Sequence, residues 1–261
     1  MTSTENLYRE LKHDIVTCAL PPGKSFSEDE LGRRYNTSRT PVREACRHLA
    51  SEGFMNIFPF RGYFVAPLTV GEFNNLLEVQ MMVDPSAAGL AAERATPSQV
   101  RDLEKWARYK YKGRESYYEF LDQNRSLHVG IAAAAANERL VEIVSNVHTR
   151  LMRYFYLGLS MQSFGDQIVQ EHCAIVEAIR NNNAAEAGEH TREHIENTLR
   201  RSSGLWSRPA IRDFVGFDIG NHAAAAENAN QATGMKKSGI RRVMRKRLVG
   251  KNRRKSGGVH A

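Results

Sequence analysis

The sequence lacks any apolar run near the ~18 residues that a membrane-spanning helix needs, and it lacks a signal-peptide core at its N-terminus. Cysteine is scarce: Cys18, Cys46 and Cys173 lie far apart, forming neither a metal-binding spacing nor an even disulfide set. Both absences point to a reducing compartment and a cytoplasmic protein. No phosphate-binding glycine loop, nucleophile motif or internal repeat is present. Acids are missing after Glu227, while eleven Lys and Arg crowd between Lys236 and Lys255. Removing those eleven from the chain's 37 basic residues leaves 26 against 29 acidic ones, so residues 1–235 carry a net charge of −3 although the whole chain carries +8. Residues 1–69 hold nine basic and eight acidic residues. Specific binding to an anionic partner there depends on local arrangement and on pairing of subunits, not on bulk charge.

What is present begins with Asn36-Thr-Ser-Arg-Thr-Pro-Val-Arg-Glu-Ala45. Ser38 is a good N-cap, Pro41 falls in a first turn, and Val42, Ala45 and Leu49 share one helical face. Arg39, Thr40 and Arg43 then point outward at a helix N-terminus that already attracts phosphate. Upstream, Leu7, Leu11 and Ile15 repeat at helical spacing before Pro21-Pro22-Gly23, and Ser27-Glu28-Asp29-Glu30 has the form of a capping box. Downstream, Gly53 offers a C-cap, and Ile57–Phe60 and Tyr63–Val65 read as two short strands around Arg61-Gly62. Helix, helix–turn–helix and a two-stranded wing describe a winged helix whose tip presents Arg61 and Gly62 to a minor groove.

Leu-Pro-Pro-Gly at 20–23, Ser-Arg-Thr-Pro-Val-Arg-Glu-Ala at 38–45 and Arg-Gly-Tyr-Phe-Val-Ala-Pro-Leu at 61–68 make residues 7–68 resemble the DNA-binding domain of GntR-family transcriptional regulators. The resemblance implies operator contacts by Ser38, Arg39, Thr40 and Arg43, with Arg61 and Gly62 at the wing tip. Asp29 departs from it, since many relatives carry an arginine there and an acid cannot bind phosphate.

From Thr69-Val70 onward the sequence predicts helices at about 70–94, 98–112, 116–136, 138–160, 166–182 and 184–202, with short breaks and no strand-like alternation. The fold class expected is mainly α: a winged helix-turn-helix at 1–69, an all-helical antiparallel bundle at 70–202 and a basic, disordered tail at 203–261. Polar residues interrupt the apolar stripes at Asn124 and His128, at His172, and at His194 with His190 nearby. Three inward-facing imidazoles need partners, and one shared cation would satisfy all of them.

Asn-Arg-Ser-Leu-His at 124–128, Ala-Asn at 136–137, Glu-His-Cys-Ala-Ile-Val-Glu-Ala-Ile at 171–179 and His-Ile at 194–195 make residues 70–200 resemble the FCD ligand-binding domain of the FadR subfamily. That resemblance implies a divalent metal (Zn, Ni or Mn) held by Asn124, His128, His172 and His194, and a small organic-acid effector. Gln80 stands where relatives often have an arginine, and Asp84 where they have a glutamate. Effector carboxylate binding is therefore expected at Gln80 or to fall to Arg150 or Arg153. Asn124 brings a neutral carbonyl where many relatives bring a carboxylate, which leaves more of the metal's charge for an anionic effector to neutralise.

Together these features describe a metabolite-responsive repressor, homodimeric on a palindromic double-stranded operator, with no membrane association and no enzymatic activity. Two alternatives use the same histidines: a metal-dependent hydrolase on a DNA anchor, disfavoured because no acid accompanies the histidines as a general base, and a regulator sensing the metal itself. The cations of 236–255 should carry most of the nonspecific DNA affinity. Each phosphate neutralised contributes about −0.9 to the slope of log affinity against log salt. Deleting residues 205–261 should flatten that slope on random DNA while operator discrimination is kept or increased, as read from paired salt titrations.

Overall fold

The computed structural model describes residues 3–202, apart from Phe60, Leu159 and Ser160. The basic segment 203–261 lies outside the described residues. The first part comprises α1 (Ser3–Val16), β1 (Ser25–Phe26), α2 (Glu28–Arg34), α3 (Arg39–Ser51), β2 (Met55–Phe58) and β3 (Gly62–Val65). The Leu7, Leu11 and Ile15 stripe of α1 is buried against Val42, Ala45 and Leu49 of α3. The capping box at the start of α2 forms as expected: Ser27 accepts from the Glu30 backbone, and the Glu30 side chain accepts from the Ser27 backbone. Gly53 sits just beyond α3 at φ +80, the left-handed C-terminal position that glycine takes without strain.

The sheet has three strands, not two, in the order β1-β3-β2. β1 was not expected, because two residues following Gly23-Lys24 carry too little periodicity to be seen. Phe26 pairs with Tyr63 and Phe58 with Gly62, both antiparallel. The third strand changes the meaning of Gly62. Its φ is +94, and a Cβ placed there would lie 2.6 Å from the Phe26 carbonyl oxygen. This glycine is required by the close approach of β1, whatever it does at DNA.

The second part is helical among the described residues: α4 (Val70–Arg94), α5 (Pro97–Ala107), a 3-10 turn at Arg114–Ser116, α6 (Tyr117–Ala134), α7 (Glu138–Gly158), α8 (Met161–Arg180) and α9 (Ala184–Ser202). Thr69 caps α4 by accepting from the Glu72 backbone. α4 packs against α6, α7, α8 and α9, and its alanines Ala87, Ala88, Ala91 and Ala92 are buried, so neighbours approach closely around it. The helix expected over 98–112 ends at Ala107. The chain then turns so that Tyr109 and Tyr111 lie against Phe120, and Tyr111 against Tyr117. Aromatic burial on α6 outweighs the few hydrogen bonds of another helical turn.

The two parts share one core: Leu11, Val65 and Leu68 belong to the same apolar cluster as Leu76, Leu121, Leu151 and Phe155. Polar contacts tighten the joint. Arg153, buried on α7, donates to the Ala66 carbonyl at 2.7 Å. Arg150, one turn earlier, pairs with Glu72 and covers Gly53. Gly62→Ala should destabilise the winged helix by about 1–3 kcal/mol, since it combines a left-handed backbone with a steric conflict against a carbonyl. Chemical denaturation of the full chain measures this, with Gly113→Ala, left-handed at φ +119 but with open space around it, as the comparison.

Candidate functional site

The exposed N-terminus of α3 forms the first site. Ser38 has the extended backbone of an N-cap, but its side chain makes no capping hydrogen bond, so the hydroxyl is available to an external acceptor. Arg39, Thr40 and Arg43 are exposed beside it, as is Arg61 at the turn between β2 and β3. A groove between α3 and the sheet is lined by Arg43, Arg47, Phe58, Arg61 and Tyr63. Arg47 did not figure among the expected contacts. It lies four residues after Arg43 on the same exposed helical face, a spacing visible in the sequence. Two acids meet these arginines: Asp29, marked in the sequence only as a lost phosphate contact, receives Arg39, and Glu28 receives both Arg43 and the Tyr63 hydroxyl. Those donors hold the Glu28 carboxyl below the usual carboxylate range.

The second site lies inside the bundle. His128 of α6, His172 of α8 and His194 of α9 are all buried, and ligand nitrogens from the three lie within 4.8 Å of one another. A fourth imidazole, His148 of α7, stacks on His128 with ring centroids 4.0 Å apart. His148 was missed, although it falls in the Val144, Val147, Leu151, Met152, Phe155 stripe by the criterion that singled out the other three. Asn124 lines a small cavity with Gln80, His128, His148 and His194, and His172 lies outside that lining. The cavity's volume is about 20 Å³, room for one water or ion.

Acids accompany these histidines, contrary to the expectation from the stripes. Asp84 Oδ2 lies 3.1 Å from His128 Nδ1 and 2.7 Å from His148 Nε2. Glu171 Oε2 lies 2.8 Å from His194 Nδ1, and Glu171 also receives Arg201 and Asn197. Burial pushes the Asp84 carboxyl up, but the two imidazoles outweigh it and hold it ionised. The ring N–H groups therefore donate to the carboxylates, and each ring turns its other nitrogen away. For His128 that nitrogen is Nε2, which is buried and without a hydrogen-bond partner, as is His172 Nε2. Both acids sit behind imidazoles, where a carboxylate orients a ligand; neither is placed as a general base.

The proteins similar to this chain agree with the architecture. The profile of bacterial regulatory proteins of the gntR family matches residues 3–65, and the FCD domain profile matches residues 75–197. The chain belongs to the GntR family. Over 210 residues this GntR regulator is 27% identical to the HTH-type transcriptional repressor RspR of Escherichia coli (strain K12), covering 77% of this chain and 92% of that one. It is 24% identical to the galactonate operon transcriptional repressor of the same strain, over 77% and 97% of the two chains. Among solved structures, E. coli McbR/YncC shares the fold with a TM-score of 0.62 at 19% identity, over 79% of this chain and 99% of that one. A GntR regulator from Rhodococcus sp. RHA1 does so with a TM-score of 0.63 at 20% identity, over 78% and 99%. These relatives are transcriptional regulators, so the hydrolase alternative falls and the chain is not an enzyme. No described helix is long and apolar enough to cross a membrane.

The FCD part of this GntR regulator separates the expected effector residues. Gln80 lines the histidine cavity and donates to Asp84 at 3.2 Å. Arg150 and Arg153 do not line it; they serve the joint with the winged helix. His190 lies at the surface between Glu186 and Glu193, which leaves His194 as the inward residue of α9.

Burial lowers the proton affinity of His128, His148 and His172, most strongly for His172, which has no acid behind it. An unfolded histidine protonates near 6.5, so just below that pH the unfolded chain binds more protons than the folded one. Chelator-treated protein should therefore lose stability as pH falls below about 6.5, where the unfolded chain takes up protons that the buried imidazoles resist. His172→Leu should reduce that pH slope. Thermal unfolding of both proteins across this range checks the sign.

Proposed function

We propose that this GntR regulator is a cytoplasmic repressor of the FadR type, acting as a homodimer on a palindromic operator. Its winged helix over 1–69 reads DNA through Ser38, Arg39, Thr40, Arg43 and Arg61. Its helical domain over 70–202 holds a divalent metal through Asn124, His128, His172 and His194. Repression is favoured by two relatives that are named as repressors.

The observation that carries the metal is the pair of buried, unpartnered nitrogens, His128 Nε2 and His172 Nε2, beside His194. Leaving such groups unsatisfied costs about 1–3 kcal/mol each, and converging neutral imidazoles suit Zn, Ni or Mn. Asp84 and Glu171 fix the tautomers of His128 and His194, which supports a ligand role for their opposite nitrogens. When bound, the metal supplies positive charge in a cavity whose direct ligands are all neutral. That charge attracts an organic-acid effector, with Gln80 at the cavity wall as its candidate partner.

α7 supports the coupling. It carries His148 at the cavity and, within two turns, Arg150 and Arg153 at the joint with the winged helix. A ligand that moves His148 shifts the element that holds Glu72 and Ala66, and so biases how the two winged helices are presented. One observation favours a second reading, that the metal itself is the signal: the cavity's volume of about 20 Å³ admits an ion but not an organic acid.

Protein purified without chelator should contain a stoichiometric divalent metal and melt at higher temperature with it than without. His172→Ala should remove the metal and weaken effector binding, while Asn124→Asp should tighten the metal through an added carboxylate. Absence of metal, with no stabilisation by added Zn, Ni or Mn, would reduce the site to a hydrogen-bonded polar cluster. Operator release by metal plus organic acids, but not by metal alone, selects the first reading over the second.

A further inference from the structure

Both arginines at the tip of α3 are clasped by acids of α2, and the form of the clasp is informative. Arg39 donates from Nε and Nη2 to the two carboxylate oxygens of Asp29, at 2.6 and 2.8 Å. Arg43 donates from the same two nitrogens to Glu28, at 3.0 and 3.0 Å. The Tyr63 hydroxyl donates to Glu28 at 2.8 Å, so this carboxylate is fixed from β3 as well. A guanidinium has five N–H donors in a rigid plane, and each carboxylate takes the two along one side. The Nη1–Nη2 end of the plane keeps donors at the spacing that guanine O6 and N7 accept together in the major groove.

Both acids lie in the first turn of α2, where a negative charge suits the helix, but that role requires no pairing with α3. The Arg39 and Asp29 side chains are 68% and 56% exposed, and ion pairs of that kind contribute little to folding. On a DNA-facing surface an acid also repels phosphate, which lowers affinity for every sequence alike. What a side-on bidentate pair does supply is orientation, because a long side chain loses its freedom to swing toward the backbone.

We propose that Asp29 and Glu28 are specificity-determining residues of this regulator: they hold Arg39 and Arg43 end-on to the major groove, so that each arginine reads a guanine instead of a phosphate. Asp29 thereby gains a role at the position where the sequence suggested only a lost phosphate contact. The acids act through the arginines and are positioning residues.

The probe is a randomised duplex library offered to the full-length protein, followed by titration of the selected duplex, of copies with single guanines changed to adenine, and of random DNA at one salt concentration. Wild type should select two guanines in each half-site at recognition-helix positions, and Arg43→Ala should erase preference at one of them. Asp29→Asn should weaken preference at the other by about tenfold while binding random DNA more tightly, because an acid has been removed. Glu28→Gln should do the same at the Arg43 position. Asp29 lies on the surface, so an unchanged melting temperature shows that the variant is folded. The proposal is overturned if wild type selects no guanine there, or if Asp29→Asn keeps its base preference and binds operator more tightly. In the latter case the acid merely competes with DNA for Arg39.

Discussion

Burying an imidazole costs free energy unless both ring nitrogens find partners, and this bundle buries four of them against one another. Asp84 and Glu171 satisfy one nitrogen on each of three rings. His172 has no acid behind it, and its Nε2 and that of His128 remain unpartnered. A purely structural cluster of the same size could have been filled with leucine at lower cost. On the proposed reading, one cation at the centre satisfies several of these nitrogens at once. The elements that bring these rings together, α6, α7, α8 and α9, are the ones packed on α4, so the geometry of the bundle and that of the histidines are the same problem.

Both sites use carboxylates in one physical role. In the bundle, an acid takes the N–H of a histidine and leaves the opposite nitrogen as an acceptor. At the tip of α3, an acid takes one side of a guanidinium and leaves the end of the plane as a donor pair. In both places the acid is hydrogen-bonded to the side chain it orients. Each spends its charge on orientation, which matters most where the working group is long or has two tautomers. The environments differ: Asp84 is buried and its pairing is protected from salt, whereas Asp29 is exposed and its pairing is screened.

Helix positions were legible because amphipathic stripes and caps are local: Ser27 with Glu30, Thr69 before α4 and Thr96 before α5 are all capped by their own side chains. The inward direction of His128, His172 and His194 was legible for the same reason. β1 was not, because two residues pair with β3 only through tertiary contact. The acids Asp84 and Glu171 were not recognised as partners because they approach from other helices, and sequence spacing says nothing about that approach. Arg150 and Arg153 are effector candidates in the sequence because Gln80 stands where relatives often carry an arginine. Their actual partners, Glu72 and the Ala66 carbonyl, lie 78 and 87 residues away along the chain.

Arg150 and Arg153 set the second half of α7 against the winged helix. Had Arg150 and Arg153 lined the cavity, effector binding would have been local to the bundle. Instead the apolar stripe of α7 faces the core while its polar residues reach in two directions, His148 toward Asp84 and Arg153 toward the segment that leaves β3. Packed cores shift between discrete arrangements and do not deform continuously. A rigid helix that cannot accommodate a change at His148 by bending must pass it along its axis or rotate as a unit. Either motion meets the buried Arg153, whose hydrogen bond to the Ala66 carbonyl cannot lengthen without leaving a buried guanidinium N–H short of an acceptor. Under the proposed coupling, the joint follows α7 and the winged helix follows the joint.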